Sequence, residues 1–342
     1  MIELDGSHGE GGGQVLRTAL TLSALTGTPF RITKIRANRA KPGLMRQHLV
    51  AVKAVAAVCA AEHTPVEVGT QTLEFHPDRI RGSEYHFDIG TAGSASLVLQ
   101  TLLPVLLRAD QPSRVTVRGG THNPLAPPMH YLERVFGRIL SQMGVDVEFE
   151  LLRFGFYPRG GGEVAAQIAP CAHLRALDLA TRGPAQNAYA EAFVAGLPME
   201  IARRELDVVC DAFQLSEANC RLCGLPSDQG PGNVLLLTID YMHVTELFSA
   251  IGERGLRAED LAARVVAEAR AHEASGAVAG EHLADQLLIP FALAGGGSFS
   301  MSHLSQHTLT NAEVVQRFLP VTVVFTRQDG RTLCTLEPGM AR

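Results

Sequence analysis

Apolar residues recur at helical spacing from Val15 to Leu25, and a short alternating run, Phe30-Arg31-Ile32, follows a break at Gly27. The same succession returns twice. GSASLVLQTLLPVLLRAD leads into Arg114-Val115-Thr116-Val117, and HLADQLLIPFALAGG leads into Ser298-Phe299-Ser300-Met301. Each copy predicts a small-residue loop, an apolar helix with a polar residue near its start, a turn, and a strand. Aligned on the helix-ending residues Gly27, Asp110 and Gly296, the polar residues Arg17, Gln100 and Gln286 share one register. A polar side chain in an apolar helix is costly to bury alone, so three in register predict one common polar centre.

Beyond each strand lies a second loop: Arg36 to His48, Gly119 to Pro128, and His303 to Asn311. A second helix follows, as in Met45, Leu49, Val52, Ala56 and Cys59, with Arg46 and Lys53 on another face. The pattern predicts a repeated α/β unit around a pseudo-symmetry axis, with ligands bound where the loops converge. Residues 181–276 break the rhythm with a strand from Val234 to Ile239 and helices over Met199 to Phe213 and Ala258 to Glu273. They predict a smaller α/β domain inserted between two parts, 1–180 and 277–342, of a larger one.

Composition bounds this picture. With 342 residues, 46% hydrophobic and 19% charged, the chain has the makings of an ordinary globular protein with a substantial core. The longest apolar run, Leu97 to Leu107, is too short for a membrane span, and Met1 to Asp5 show no leader pattern; a cytoplasmic location is expected. The six cysteines are scattered and read as reduced thiols, and the lone Cys220-x-x-Cys223 as structural or incidental.

Charge changes the picture more. Between Gly11 and Ala61 there is no acid, yet Arg17, Arg31, Lys34, Arg36, Arg39, Lys41, Arg46 and Lys53 lie there, in a chain of net charge -5. Surface cations usually alternate with acids, so the stretch predicts an electropositive site. It opens with Gly9-Glu10-Gly11-Gly12-Gly13-Gln14 directly before a helix. Glycines admit a ligand close to backbone N–H groups and a helix start adds partial positive charge, which together suit a phosphate. The run matches neither the P-loop nor the dinucleotide fingerprint. Glu10 is a candidate ligand for a divalent metal among those phosphates.

His307 lies in the polar segment Ser305 to Asn311, read as a loop before a helix over Ala312 to Phe318. A neutral imidazole attacks phosphorus when the phosphate is held in line and its charge is offset. Arg17, Arg36 and Arg39 are the residues to offset it. From these residues alone the chain is a phosphate-handling enzyme.

The motifs HGEGGGQVLR, RANRAKPGLMRQHL, GTAGSASLVLQT, GGTHNPLAPP, GFYPRGGGEV, DQGPGN, HLADQL and SQHTLTN together resemble the RNA 3′-terminal phosphate cyclase family along nearly the whole chain. The resemblance implies an α/β fold of repeated βαβαββ units, related to enolpyruvyl transferases, with an inserted domain of thioredoxin-like topology. It implies ATP and Mg²⁺ or Mn²⁺, and an RNA with a 3′-phosphate end converted to a 2′,3′-cyclic phosphodiester through histidine-AMP and RNA-pp-A. His307 would be the nucleophile and Glu10 the metal ligand, with Arg17, Arg36, Arg39, Gln47 and His48 on phosphates. Gln100, Pro127, His282, Leu283, Ala284, Asp285 and Gln286 would form the adenosine pocket, Asp285 towards the ribose. Some members of that family carry Tyr where this chain has His282; either ring can stack on a base.

Three rivals share some of these features. A noncatalytic cyclase-like scaffold would lack His307, and an enolpyruvyl transferase would need neither nucleophile nor adenosine pocket. A plain RNA-binding module would carry stacking aromatics among its cations, where the Gly11 to Ala61 stretch has only Phe30.

Overall fold

The structure is a computed structural model that describes residues 1–9, 11–328 and 330–339. One path is drawn three times. In the first unit β1 (Ile2–Asp5) runs through α1 (Gln14–Thr26) into β2 (Phe30–Thr33), and α2 (Arg46–Cys59) then leads to β3 (Glu62–His63) and β4 (Leu73–His76). Strands β1 and β2 are parallel, in register from Ile2 beside Phe30 to Asp5 beside Thr33, and the other pairs are antiparallel, in the order β1-β2-β4-β3.

The second unit repeats this with β5 (Glu84–Asp88), α3 (Ala95–Leu106) and β6 (Ser113–Gly119). The short helix α4 (Met129–Tyr131) passes through a π-turn (Leu132–Phe136) into α5 (Gly137–Gln142), followed by β7 (Val147–Arg153) and β8 (Gly162–Ile168). Its order, β5-β6-β8-β7, and its strand directions are those of the first unit. The third unit starts at β9 (Asp178–Leu179) and is interrupted. Elements β10 (Ala185–Ala195), α6 (Met199–Phe213), β11 (Cys220–Leu225), β12 (Gly232–Tyr241), β13 (Thr245–Ile251) and α7 (Ala258–Ser275) come first. Then α8 (Glu281–Leu293), β14 (Gly297–Met301), α9 (Gln306–Phe318), β15 (Val321–Gln328) and β16 (Arg331–Pro338) complete the order β9-β14-β16-β15. The strands of the interruption form their own sheet, β11-β10-β12-β13, parallel only between β10 and β11, with α6 packed on α7.

These elements follow from the pattern. Helix α1 is apolar on nearly all sides and accordingly buried, with Leu16, Leu20 and Leu22 fully enclosed among α2, α3 and α9. It stops at Gly27, whose φ of 65° a residue with a Cβ adopts only at a cost. Proline stands inside α3 at Pro104 and inside α8 at Pro290, each four residues beyond Gln100 and Gln286, so the repeat extends to the loss of the same helix hydrogen bond.

Two sequence readings need correction. Helix α9 starts at Gln306, not Ala312, because Ser305 caps it by accepting the Thr308 amide at 3.2 Å; His307 is therefore in a first helical turn, not a loop. The cysteines are not all reduced thiols. The short turn after α6 returns the chain so that Cys210 and Cys220 lie 6.5 Å apart at Cα and are joined as a disulfide, leaving Cys59, Cys171, Cys223 and Cys334 free. Among the described residues no helix is long and apolar enough to cross a membrane.

Candidate active site

Helix α1 starts with no side-chain cap: Gly13 holds the N-cap position, leaving the first amides of the helix without a partner from a capping side chain. Gly13 is required by a close approach. A Cβ there would stand 2.1 Å from His48 Nε2 and 3.0 Å from the Arg17 guanidinium. His48, on the first turn of α2, is buried; its Nδ1 accepts the Met45 amide at 3.2 Å, so Nε2 carries the proton. Burial, with Arg17 and Arg36 beside it, pushes this imidazole down to about 3 and keeps it neutral at pH 7.

The next residue, Gln14, is the site's joint. Its carboxamide NH₂ donates to both oxygens of Asp285 on α8, and its Oε1 lies 2.6 Å from His307 Nδ1 on α9. Since the amide oxygen only accepts, His307 Nδ1 carries the proton and Nε2 keeps its lone pair. Asn311, one turn on from His307, donates to Asp285 Oδ1 at 2.9 Å and accepts from Thr18 Oγ1 at 2.7 Å. Helices from the first and third units are thereby tied by polar bonds around one carboxylate. Burial holds the Asp285 carboxyl above its ordinary value, against hydrogen bonds from Gln14 and Asn311 and the charge of Arg17. Desolvation pushes Arg17 down to about 10, with Asp285 opposing, so it stays cationic at neutral pH.

Arg36 is held by its own backbone loop: its guanidinium donates to the carbonyls of Lys41 at 2.8 Å and Gly43 at 2.7 Å. Its φ of 54° is a left-handed conformation that L-residues rarely take, and these bonds offset that cost. A cavity of about 1260 Å³ gathers the set. Arg17, Arg36, Arg39, Gln47 and His48 line it together with His307, and so do Gln100, Pro127, His282, Asp285 and Gln286. The three register-mates Arg17, Gln100 and Gln286 all line this one cavity. Gln47 fixes a wall by accepting the Ser94 amide at 2.9 Å, and Gln286 Oε1 is buried with no hydrogen-bond partner among the described residues.

Some expected residues fall elsewhere. Leu283 and Ala284 are fully buried on the core side of α8 and do not line the cavity. Glu10 lies outside the described residues, and among the described residues no group of three or more His, Cys, Asp or Glu is placed to hold a metal. The eight-cation stretch also divides. Arg17, Arg36, Arg39 and Lys41 face the cavity, whereas Arg31 pairs with Glu74 at 3.3 Å and Lys34 with Asp5 at 2.9 Å. Acids distant in sequence neutralise those two, which a count within one stretch does not reveal.

Sequence reasoning missed Gln14 and Asn311, both inside quoted motifs, and Thr18, one residue beyond the first of them, with no sign of their pairing. It also missed the wall supplied by the interrupting segment, where Leu247, Ile251, Arg264 and Glu268 reach the cavity. Burial raises the Glu268 carboxyl, with His282 opposing.

An imidazole with a fixed tautomer, guanidiniums beside it and a large cavity between repeated units make this an enzyme site for phosphoryl chemistry, set in a mixed α/β fold. Residues 8–325 match the family model described as RNA 3′-terminal phosphate cyclase. A curated protein from Ectopseudomonas mendocina (strain ymp) bearing that description is 54% identical over 332 residues, 97% of this chain and 96% of that protein. The chain belongs to the RNA 3′-terminal phosphate cyclase family.

Proposed function

We propose that this enzyme converts an RNA 3′-phosphate end to a 2′,3′-cyclic phosphodiester at the expense of ATP, by way of His307-AMP and RNA-pp-A. The observation that carries the reading is the 2.6 Å contact between His307 Nδ1 and Gln14 Oε1, which assigns the proton to Nδ1 and the nucleophilic lone pair to Nε2, in a cavity that Arg17 and Arg36 also line. Nε2 attacks the α-phosphorus of ATP, the bond to the β-phosphate bridge breaks, and pyrophosphate leaves. The ring becomes cationic as the N–P bond forms. The Gln14 oxygen and, behind it, the Asp285 carboxylate stabilise that charge. An oxygen of the RNA 3′-phosphate then attacks the same phosphorus, the N–P bond breaks and the imidazole is restored. Finally O2′ of the terminal ribose attacks the 3′-phosphorus, gives up its proton, and AMP leaves. The need for O2′ restricts the substrate to RNA.

Arg17, Arg36, Arg39, Gln47 and His48 hold the phosphates in this scheme. His48, being neutral, contributes an N–H donor rather than a charge. Gln100, Pro127, His282, Asp285 and Gln286 receive the nucleoside, and the unpartnered Gln286 Oε1 suits an exocyclic amine. Leu283 and Ala284 support that pocket from the core. A single carboxylate with phosphate oxygens and water is a usual setting for Mg²⁺ or Mn²⁺, and Glu10 is the residue we assign to it. Such an ion, when bound, neutralises phosphate charge. We assign residues 1–180 and 277–342 to the catalytic domain and 181–276 to an inserted one, on the separateness of the β10–β13 sheet. We assign its action to the cytoplasm, where both substrates, RNA and ATP, are present.

Incubation with ATP labelled at the α-phosphate and a divalent metal is expected to give an acid-labile, base-stable protein adduct. His307→Ala should abolish it. Full labelling of that variant removes the proposed nucleophile.

A further inference from the structure

We propose that Tyr157 is a stacking platform for the 3′-terminal base of the RNA. Exposed large apolar side chains among the described residues are few, and two of them, Leu125 at 94% and Tyr157 at 62%, line the cavity. Tyr157 is the one aromatic ring in that group. No hydrogen bond or ring contact of this side chain occurs among the described residues, so its face is open to a ligand.

The ring is exposed, but its loop is fixed. Phe156 beside it is 1% exposed and packs where a Cβ on Gly232 would stand. Arg159 donates to the Gly230 carbonyl at 2.6 Å, and the Phe154 amide donates to Gln229 Oε1 at 2.9 Å. A rigid, solvated aromatic at a cavity mouth loses little conformational entropy on binding, which is what a base-stacking residue needs.

Its place in the cavity selects RNA over ATP as the occupant. Gly160, in the same loop, lies against Ala92, and the adjoining Gly93 lies against Gln47, one of the phosphate-side residues. The loop holding Leu125 rests on the same support through the Asn123 amide and the Ala92 carbonyl. An RNA end that places its phosphate among Arg17, Arg36 and Arg39 leaves its last base at this rim, between an aromatic and an aliphatic side chain. Every base has a π-face, so such a platform accepts any terminal nucleotide.

The proposal rests on the RNA-cyclising reading, and the test separates the two. Dissociation constants are measured for a short RNA ending in a 3′-phosphate and for the same RNA with an abasic terminal ribose. Tyr157→Ala is expected to weaken the first by roughly 5- to 150-fold, the range that one base–aromatic stack supplies, and to leave the second at the wild-type value. Tyr157→Phe should bind both as the wild type does. An equal penalty on both RNAs overturns the platform. So does a higher ATP requirement for protein labelling without RNA, since the ring would then serve the nucleotide. Absence of labelling in the wild type itself would instead sink the underlying reading.

Discussion

The second unit carries an imidazole, as the first and third do, in the first turn of the helix after the central strand: His130 on α4, His48 on α2 and His307 on α9. In the first and third units this position faces the cavity among guanidiniums and carboxamides. In the second it is core. His130 lies 5.2 Å from the Phe193 ring, itself part of β10 in the interrupting segment, and 3.3 Å from Nε2 of His122, which stacks on Phe154 at 4.8 Å. A histidine in the first turn of the same helix of the repeat thus has two fates. What separates them is the neighbour: the interrupting sheet covers the second unit and leaves no room for a ligand, whereas α1 and α8 bring Gln14 and Asp285 to the third.

The widest difference should appear when each imidazole becomes phenylalanine. His307→Phe is expected to lower the rate of labelling by ATP by about 10⁴-fold or more, as loss of a nucleophile does. His130→Phe should label within a few-fold of the wild type. Comparable losses in both would show that the repeat position acts as a unit and would dissolve the contrast.

Acid stability should sort them the other way. Burial, with Arg134 nearby, holds His130 at about 3 against an ordinary 6.5, and burial with His130 as neighbour holds His122 well below that value. The unfolded chain therefore binds these protons more readily. The stability they contribute is fully present above about pH 6.5 and is lost as pH falls towards 3, up to about 5 kcal/mol for His130. Urea midpoints followed from pH 7 to pH 4 should fall less steeply in His130→Phe than in the wild type; parallel curves would place the proton uptake elsewhere.

Breaking the joint of the third unit should cost less than removing its nucleophile. Gln14→Leu removes the oxygen that faces His307 Nδ1 and so the contact that fixes the tautomer, and Asp285 loses a donor. The labelling rate is expected to fall by roughly 10²- to 10³-fold, the range of a lost polar group at developing charge. A variant with wild-type labelling would mean that the contact does not set the nitrogen's state.

Much of this arrangement was legible in the chain. Helical and strand periodicities located α1, α3, α8 and their strands because tertiary packing of apolar faces and local pattern agree there. The shared register of Arg17, Gln100 and Gln286 announced one polar centre, since a polar group costs the same in each copy. Contacts made between residues far apart in the chain were hidden: Gln14 with His307, Arg31 with Glu74, and the wall given by Leu247 and Arg264. Residue type carries no mark of such a partner. His307 was read in a loop because the first turn of α9 faces the cavity and so lacks the apolar spacing that marks a buried helix. The Cys210–Cys220 pairing depends on the turn geometry between α6 and β11, which scattered thiols do not encode.

The smallest effect concerns the first unit, where the imidazole is structural and polar at once. Gly13→Ala puts a methyl 2.1 Å from His48 Nε2, and that ring has little freedom to retreat, being 4% exposed and bonded to the Met45 amide. Overpacking of this sort costs about 1–3 kcal/mol. If the clash with the ring is the cause, Gly13→Ala combined with His48→Ala should be more stable than the sum of the two single changes, because removal of the ring makes the space the methyl needs. Thermal midpoints of the four proteins in this cycle measure the coupling. Strict additivity would show that the methyl meets another neighbour, such as the Arg17 guanidinium 3.0 Å away, and that His48 does not dictate how closely helix α1 approaches α2.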